Sequence, residues 1–349
     1  MSITDLFGEM HVEELSKEIE TLFPNLQIPA ERMLTMLLQG RLLELAKALF
    51  TSGIGGCLER VAGAKGLMIS LLLIGIISAL TGQFGEILER FQVSELSFYF
   101  TYLLQSAILT RCFLGLSEVA KLALGSVCLF VRLLMPTYLF AVGMSTGSIT
   151  AGYGHQMVLL VIYVVEKILL GILLPLIKCF FLITLLEGLQ ARERMDACLE
   201  ALKKTIRWCV RGALGVIAGL SFLQAILTPS LDKLSGSVVT KMIAAIPGIG
   251  RGAEGTIELV MSAVMVIKNG MGILLSLLLL LLCAAPIFEL FVYSACLKLA
   301  AALTGIVSDK RITKTCDRAG ETGFLLMTVV AGGMALFLFT MAVTCAAAR

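Results

Sequence analysis

Gly248, Gly250 and Ala253, inside the stretch AAIPGIGRGAEG at 244–255, have the spacing G-x-G-x-x-A. Such a spacing can cradle a pyrophosphate, because glycines let backbone N–H groups approach phosphate oxygens at a helix N-terminus. That chemistry also needs a preceding strand, a soluble βαβ unit and an acidic residue about 20 positions further on. The corresponding region here reads MGILLSLLLL, so nucleotide binding is set aside. A second group with chemical potential consists of charges embedded in apolar runs: Glu166, Lys167, Lys178, Glu289 and Lys298. Each costs about 2.5–3.5 kcal/mol at a lipid-facing midplane. They are therefore expected to face one another, the interface or a polar cavity, and they are candidates for a polar path.

Catalytic sets are missing from the sequence. His11 lies in a charged lead-in and His155 in a glycine-rich turn, and neither H-E-x-x-H nor G-x-S-x-G occurs. With no Walker motif either, the chain is not expected to be an enzyme or to hydrolyse ATP, and no cofactor or metal is expected. The ten cysteines form no C-x-x-C pair and mostly sit in or beside apolar segments, where they act as small hydrophobes. A net charge of +3, with basic residues placed beside apolar runs, gives no footprint for nucleic acid.

The elements that must carry these residues follow from composition. Of 349 residues, 58% are hydrophobic and only 15% charged, more apolar material than a soluble core of this size needs. Uncharged runs at 66–85, 133–165, 212–231, 269–288 and 322–348 match or exceed the roughly 20 helical residues that cross a ~30 Å hydrocarbon layer. Alternating barrel strands are absent, so helices must satisfy the backbone in lipid. The expected fold is all-α, a polytopic helical integral membrane protein. Residues 1–60 form an amphipathic helical N-terminal segment, and 61–349 form the transmembrane helical domain. About seven spans are expected, near 66–85, 96–110, 133–145, 156–186, 212–231, 269–288 and 322–348. Residues 111–132, with isolated charges, read as an amphipathic connector at the interface, and 290–308 continues the sixth span. No secretory signal is visible in the first fifteen residues.

Backbone cost decides the reading of the glycine stretch. A helix-interior glycine loses about 1 kcal/mol against alanine and a proline about 3, so Pro247 with Gly248, Gly250, Gly252 and Gly255 would cost a helix roughly 7. A helix-break-helix is expected there before the sixth span, re-entrant or interfacial. Pro175 and Pro286 are expected to kink or break their own helices. Lys and Arg between spans divide fifteen to six in favour of one side. That side holds Arg60, Lys65, the 111–132 charges, the basic 192–211 segment and 310–318, and the positive-inside bias makes it cytoplasmic.

One segment also resembles a known family. The residues are IPGIGRG at 246–252, VMSAVMVIKNGMG at 260–272, Pro286 and KLAAAL at 298–303. Ile246, Pro247, Gly250 and Arg251, then Val260 to Ala263, Lys268, Asn269 and Gly272, then Lys298, stand in the order of the stage III sporulation protein AE family of endospore-forming bacteria. The resemblance covers about 150–303. It departs at Glu166–Lys167 and Glu289, and in TGIVSDK at 304–310, which stands where that family has a Pro/Gly-rich turn. It implies a membrane component, channel- or permease-like, of a transenvelope complex in the mother-cell-derived membrane around the forespore. The implied partners are other stage III sporulation proteins of the same operon, including a secretion-type ATPase and ring-forming proteins, together with the lipid bilayer; a homo-oligomer is compatible. Two other readings stand beside it: a non-conducting platform that anchors the complex, and an independent small-solute transporter.

Overall fold

The computed structural model describes residues 64–77, 91–146, 160, 163–189, 195–219, 250–306 and 308–347. The N-terminal segment 1–60, Ile246, Pro247 and the second halves of the first and fifth expected spans lie outside the described residues. Among the described residues the regular elements are helices and none is a strand. They are α1 (Ala64–Ile77), α2 (Phe91–Thr146), α3 (Tyr163–Leu189), α4 (196–219), α5 (Gly250–Thr304) and α6 (Lys310–Ala347). Four stretches are long and apolar enough to cross a bilayer: Glu95–Arg132, Tyr163–Leu189, Leu275–Thr304 and Lys310–Thr340. The chain is a helical membrane protein.

Side-chain spacing explains how the bundle assembles. On α2 the buried residues Tyr102, Leu109, Phe113, Leu116, Ala120, Leu124, Val127 and Val131 recur at three, four or seven positions, which is one stripe of a helix. Leu103, Leu104, Leu114 and Leu122 lie exposed on its other side, as suits a face turned to lipid. On α4 the buried stripe is Leu199, Ile206, Val210, Ala213 and Ile217. Helices α5 and α6 form an antiparallel hairpin across a short turn. Gly305 N–H bonds to the Ala301 carbonyl at 2.9 Å and Ser308 N–H to the Thr304 carbonyl at 2.8 Å. Asp309 caps α6, since its carboxylate accepts the Arg311 N–H at 2.8 Å. Helix α2 runs parallel to α6, with Gln105 beside Ile312 and Leu124 beside Gly333, while α3 runs the other way.

Small residues let these helices approach closely, which is how membrane helices gain contact without a hydrophobic driving force. A Cβ on Gly320 would lie 2.8 Å from Lys298 Cγ and 3.1 Å from the Ser294 carbonyl. One on Gly333 would meet Leu124 and Leu169 at 2.8 and 2.9 Å. Gly323 sits directly against Ser294, and Gly188 against Tyr102 and Thr315.

Several expectations need correction. The second span, the 111–132 connector and the third span are a single unbroken helix, α2, so they cannot cross the membrane separately. Burial explains this, because the connector's Phe113, Leu116, Ala120, Leu124 and Val127 continue the same inward stripe. Helix α5 begins at Gly250 and runs without interruption through Arg251, Gly252, Gly255, Lys268 and Asn269. Any break at the glycine stretch therefore ends before Gly250, and the helix expected after the break is not separate from the sixth span. The glycine costs are individually small, and those near a helix start forfeit little hydrogen bonding. As expected, 290–304 continues the sixth span within α5. Pro286 lies inside that helix without ending it. At Pro175 the backbone widens instead: Leu169–Leu173 is a π-helical turn, and Leu174 N–H reaches the Leu169 carbonyl. Proline has no N–H and crowds the carbonyl four residues back, so a wider turn just upstream relieves both demands.

Replacing Gly320 with leucine is expected to pry α5 from α6 and destabilise the bundle by about 1–3 kcal/mol, as overpacking does. A lowered Tm of the detergent-purified protein checks this. Gly212, which has open space around its Cβ position, should tolerate leucine with little change.

Candidate functional site

The first three turns of α6, KRITKTCDRAGE, carry four charges that share one side of the helix. Lys314, Asp317, Arg318 and Glu321 are spaced i, i+3, i+4, i+7 and fall within about a third of the circumference. The stripe faces inward, and each member finds a partner on a different helix. Arg318 is clamped by Glu187 at the C-terminal end of α3 and by Asp196 at the start of α4. Lys314 lies 3.0 Å from Asp196 and 3.6 Å from Glu187. Asp317 accepts from Lys298 of α5 at 2.8 Å, and Glu321 pairs with Lys203 of α4. Glu187 is only 6% exposed and the Arg318 side chain 16%, so this pair is substantially removed from water.

Hydrogen bonds and stacking lock the same end of α2 onto this collar. The Tyr102 hydroxyl donates to the Leu185 carbonyl at 2.6 Å. The Gln105 amide donates to the Ile312 carbonyl at 3.0 Å. The Arg311 guanidinium sits 3.8 Å above the Phe98 ring, a cation–π contact, and Phe98 stacks on Tyr102 with centroids 5.8 Å apart. Beside the collar, between α4, α5 and α6, lies a cavity of about 180 Å³ lined by Arg207, Lys298, Glu321, Phe324, Leu325 and Thr328.

The charges singled out from sequence are not gathered into one place. Glu166 pairs with Arg132 at 2.7 Å, at the end of the bundle remote from the collar. Lys298 belongs to the collar. Gly333, which touches Leu169, lies 16 residues beyond Asp317 on α6, so the two ion pairs are separated by about 24 Å or more. Lys167 and Lys178 are exposed and Glu289 is half-buried. Arg132 also leaves the group of cations assigned to one side. Thirty residues of α2 separate it from Tyr102, a rise of about 45 Å, which exceeds the hydrocarbon thickness. Asp196 and Arg318, by contrast, do share a side, as the charge count expects.

Sequence reasoning missed the collar. The signal was present in the mixed-sign stripe at 314–321, but such a stripe at a helix start reads equally as a solvated, orienting charge cluster. Its partners Glu187, Asp196 and Lys203 lie more than a hundred residues away along the chain, and no local spacing links them.

The fold and the collar define a polytopic helical membrane protein with a polar knot at one end. The family model described as stage III sporulation protein AE matches residues 28–348, and the chain belongs to that family. Stage III sporulation protein AE of Bacillus subtilis (strain 168) is 21% identical over 248 residues, covering 70% of this chain and 61% of that protein. The chain thus spans less than two thirds of that relative's length. No solved structure matches the chain.

Truncating Arg318 to alanine leaves Glu187 buried beside Lys314 alone, and breaking a buried pair in this way costs about 3–5 kcal/mol. Arg318→Lys should cost less yet still be measurable, because one ammonium cannot fork to two carboxylates. Thermal unfolding of the purified protein should rank the native chain above Arg318→Lys and that above Arg318→Ala.

Proposed function

We propose that the chain is a membrane subunit of the sporulation complex that bridges mother cell and forespore, and that its helices serve as a rigid platform on which the other subunits assemble. The observation that carries this reading is the collar. Arg318 is held by carboxylates from two helices, and Lys314, Asp317 and Glu321 on the same stripe are likewise paired across helices. A conduit through the chain needs unsatisfied polar groups along a continuous wall. The described bundle instead spends its charges on fixing α3, α4, α5 and α6 against one another.

In this reading the protein resides in the mother-cell-derived membrane around the forespore and has no reaction of its own. Energy would come from a secretion-type ATPase partner, and ring-forming proteins of the same operon would dock on the platform. Family membership and the four apolar spans support the placement in a sporulation membrane complex.

A second reading, a channel- or permease-like subunit, is favoured by Lys178. It is exposed on an apolar span, where facing lipid costs about 2.5–3.5 kcal/mol. A second copy or another subunit covering that face would leave a polar seam between chains.

The two readings separate with a single cysteine at position 178 in a chain stripped of its native thiols. Charged thiol reagents added to sporulating cells should leave late forespore gene expression unchanged if the chain is a platform. Loss of that expression on labelling, with the complex still assembled, would transfer the assignment to a conduit. Arg318→Ala should abolish assembly itself under either reading, seen as loss of co-purifying subunits.

A further inference from the structure

The cavity beside the collar has two unlike halves. Arg207, Lys298 and Glu321 form one, and Phe324, Leu325 and Thr328 form the other. Glu321 is the last charged residue of α6 before an uncharged run from 322 to 348. The cavity therefore straddles the level at which the helix passes from water-facing to hydrocarbon-facing residues, where phospholipid headgroups reside.

The charges at this site do not cancel. Glu321 is neutralised by Lys203, and Lys298 spends one of its three donors on Asp317. Among the described residues Arg207 has no carboxylate partner, and Lys204 and Arg211 stand exposed one turn to either side of it on α4. Glu200, a turn further away and 3.9 Å from Lys203, is the nearest opposing charge on that helix. Trp208, the single tryptophan of the chain, is 74% exposed next to Arg207, and tryptophan favours the headgroup level of a bilayer. On the apolar side Phe324 packs edge-on against Phe291 at 6.1 Å, and Phe291 is 48% exposed. The greasy wall of the cavity thus continues onto the outer surface of α5.

We propose that this cavity is a binding site for an anionic phospholipid. Its phosphate is held by Arg207 in a bidentate contact and by a remaining donor of Lys298, and an acyl chain lies along Phe324 and Phe291. Basic pockets between membrane helices take such headgroups, and guanidinium geometry matches the phosphate. A free phosphate ion would use only the polar half, so the apolar half argues for lipid.

The lone tryptophan supplies the test. The full-length protein is placed in phosphatidylcholine nanodiscs containing a minor fraction of lipid with brominated chains, either phosphatidylglycerol or phosphatidylcholine, and Trp208 quenching is compared. Brominated phosphatidylglycerol should quench more strongly at equal mole fraction. Arg207→Gln should reduce that preference about fivefold, the weight of one basic residue at the surface. Arg207→Lys should keep only part of it, since an ammonium retains the charge but cannot make the bidentate contact, and Arg111→Gln, an exposed cation on α2, should leave it intact. Equal quenching by the two lipids in the native chain overturns the proposal without reliance on any variant. So does an Arg207→Gln chain that keeps the full preference. If millimolar inorganic phosphate erases the preference, the site binds a free anion and the lipid assignment fails.

Discussion

A guanidinium withdrawn from water must be paired or it destabilises the fold that buries it. Arg318 meets this demand with Glu187 from α3 and Asp196 from α4, and most of the bundle's geometry follows from that fact. Helix α3 must end where Glu187 can reach, α4 must start where Asp196 can, and α6 must present Arg318 between them. With Lys298 on Asp317 and Lys203 on Glu321, the same three turns of α6 also set the heights of α5 and α4. Ion pairs at one end of a membrane bundle act as a register device: sliding any helix by one turn would strand a charge.

Away from the collar, packing takes over from electrostatics. The contacts show α6 approached closely by α5 at Gly320 and Gly323, by α4 at Gly332, and by α2 and α3 at Gly333. Dispersion at such short range substitutes for the hydrophobic driving force that lipid removes. The exposed leucines of α2 and the exposed Phe100 and Leu182 need no other explanation than lipid or a neighbouring subunit. Where Pro175 would break α3, the π-turn at Leu169–Leu173 absorbs the extra residue, and Leu169 and Leu173 stay buried. The local defect is thereby kept from disturbing the core.

Much of this was legible from residue types alone. The membrane class and the helical fold, with no strand among the described residues, follow from run length and composition, because lipid leaves a chain few ways to satisfy its backbone. Motifs at 246–303 pointed to the right family. Span counting failed at 96–145, where isolated charges such as Arg111 and Lys121 suggested an interfacial segment. Those charges sit on the exposed side of a helix whose other side is buried, and a hydropathy average cannot separate the two. The charges embedded in apolar runs are dispersed for a related reason. Glu166 and Lys298 look alike as charges in apolar runs, yet they are answered at opposite ends of the bundle by Arg132 and Asp317.

Local chemistry is sufficient for solvent class, helical periodicity and the backbone cost of proline and glycine, since each depends on a residue and its near neighbours. Which charges neutralise one another depends on distances between residues far apart in the chain. Lys314 and Asp196 are separated by 118 positions, yet they stand 3.0 Å apart. A helix start rich in Lys, Arg, Asp and Glu is a solvated, orienting cluster when alone and a structural knot when three other helices bring two carboxylates and two ammonium groups to it. The packing of α3, α4 and α5 around α6 made that choice, because Coulomb energy and desolvation are set by what surrounds a charge in space.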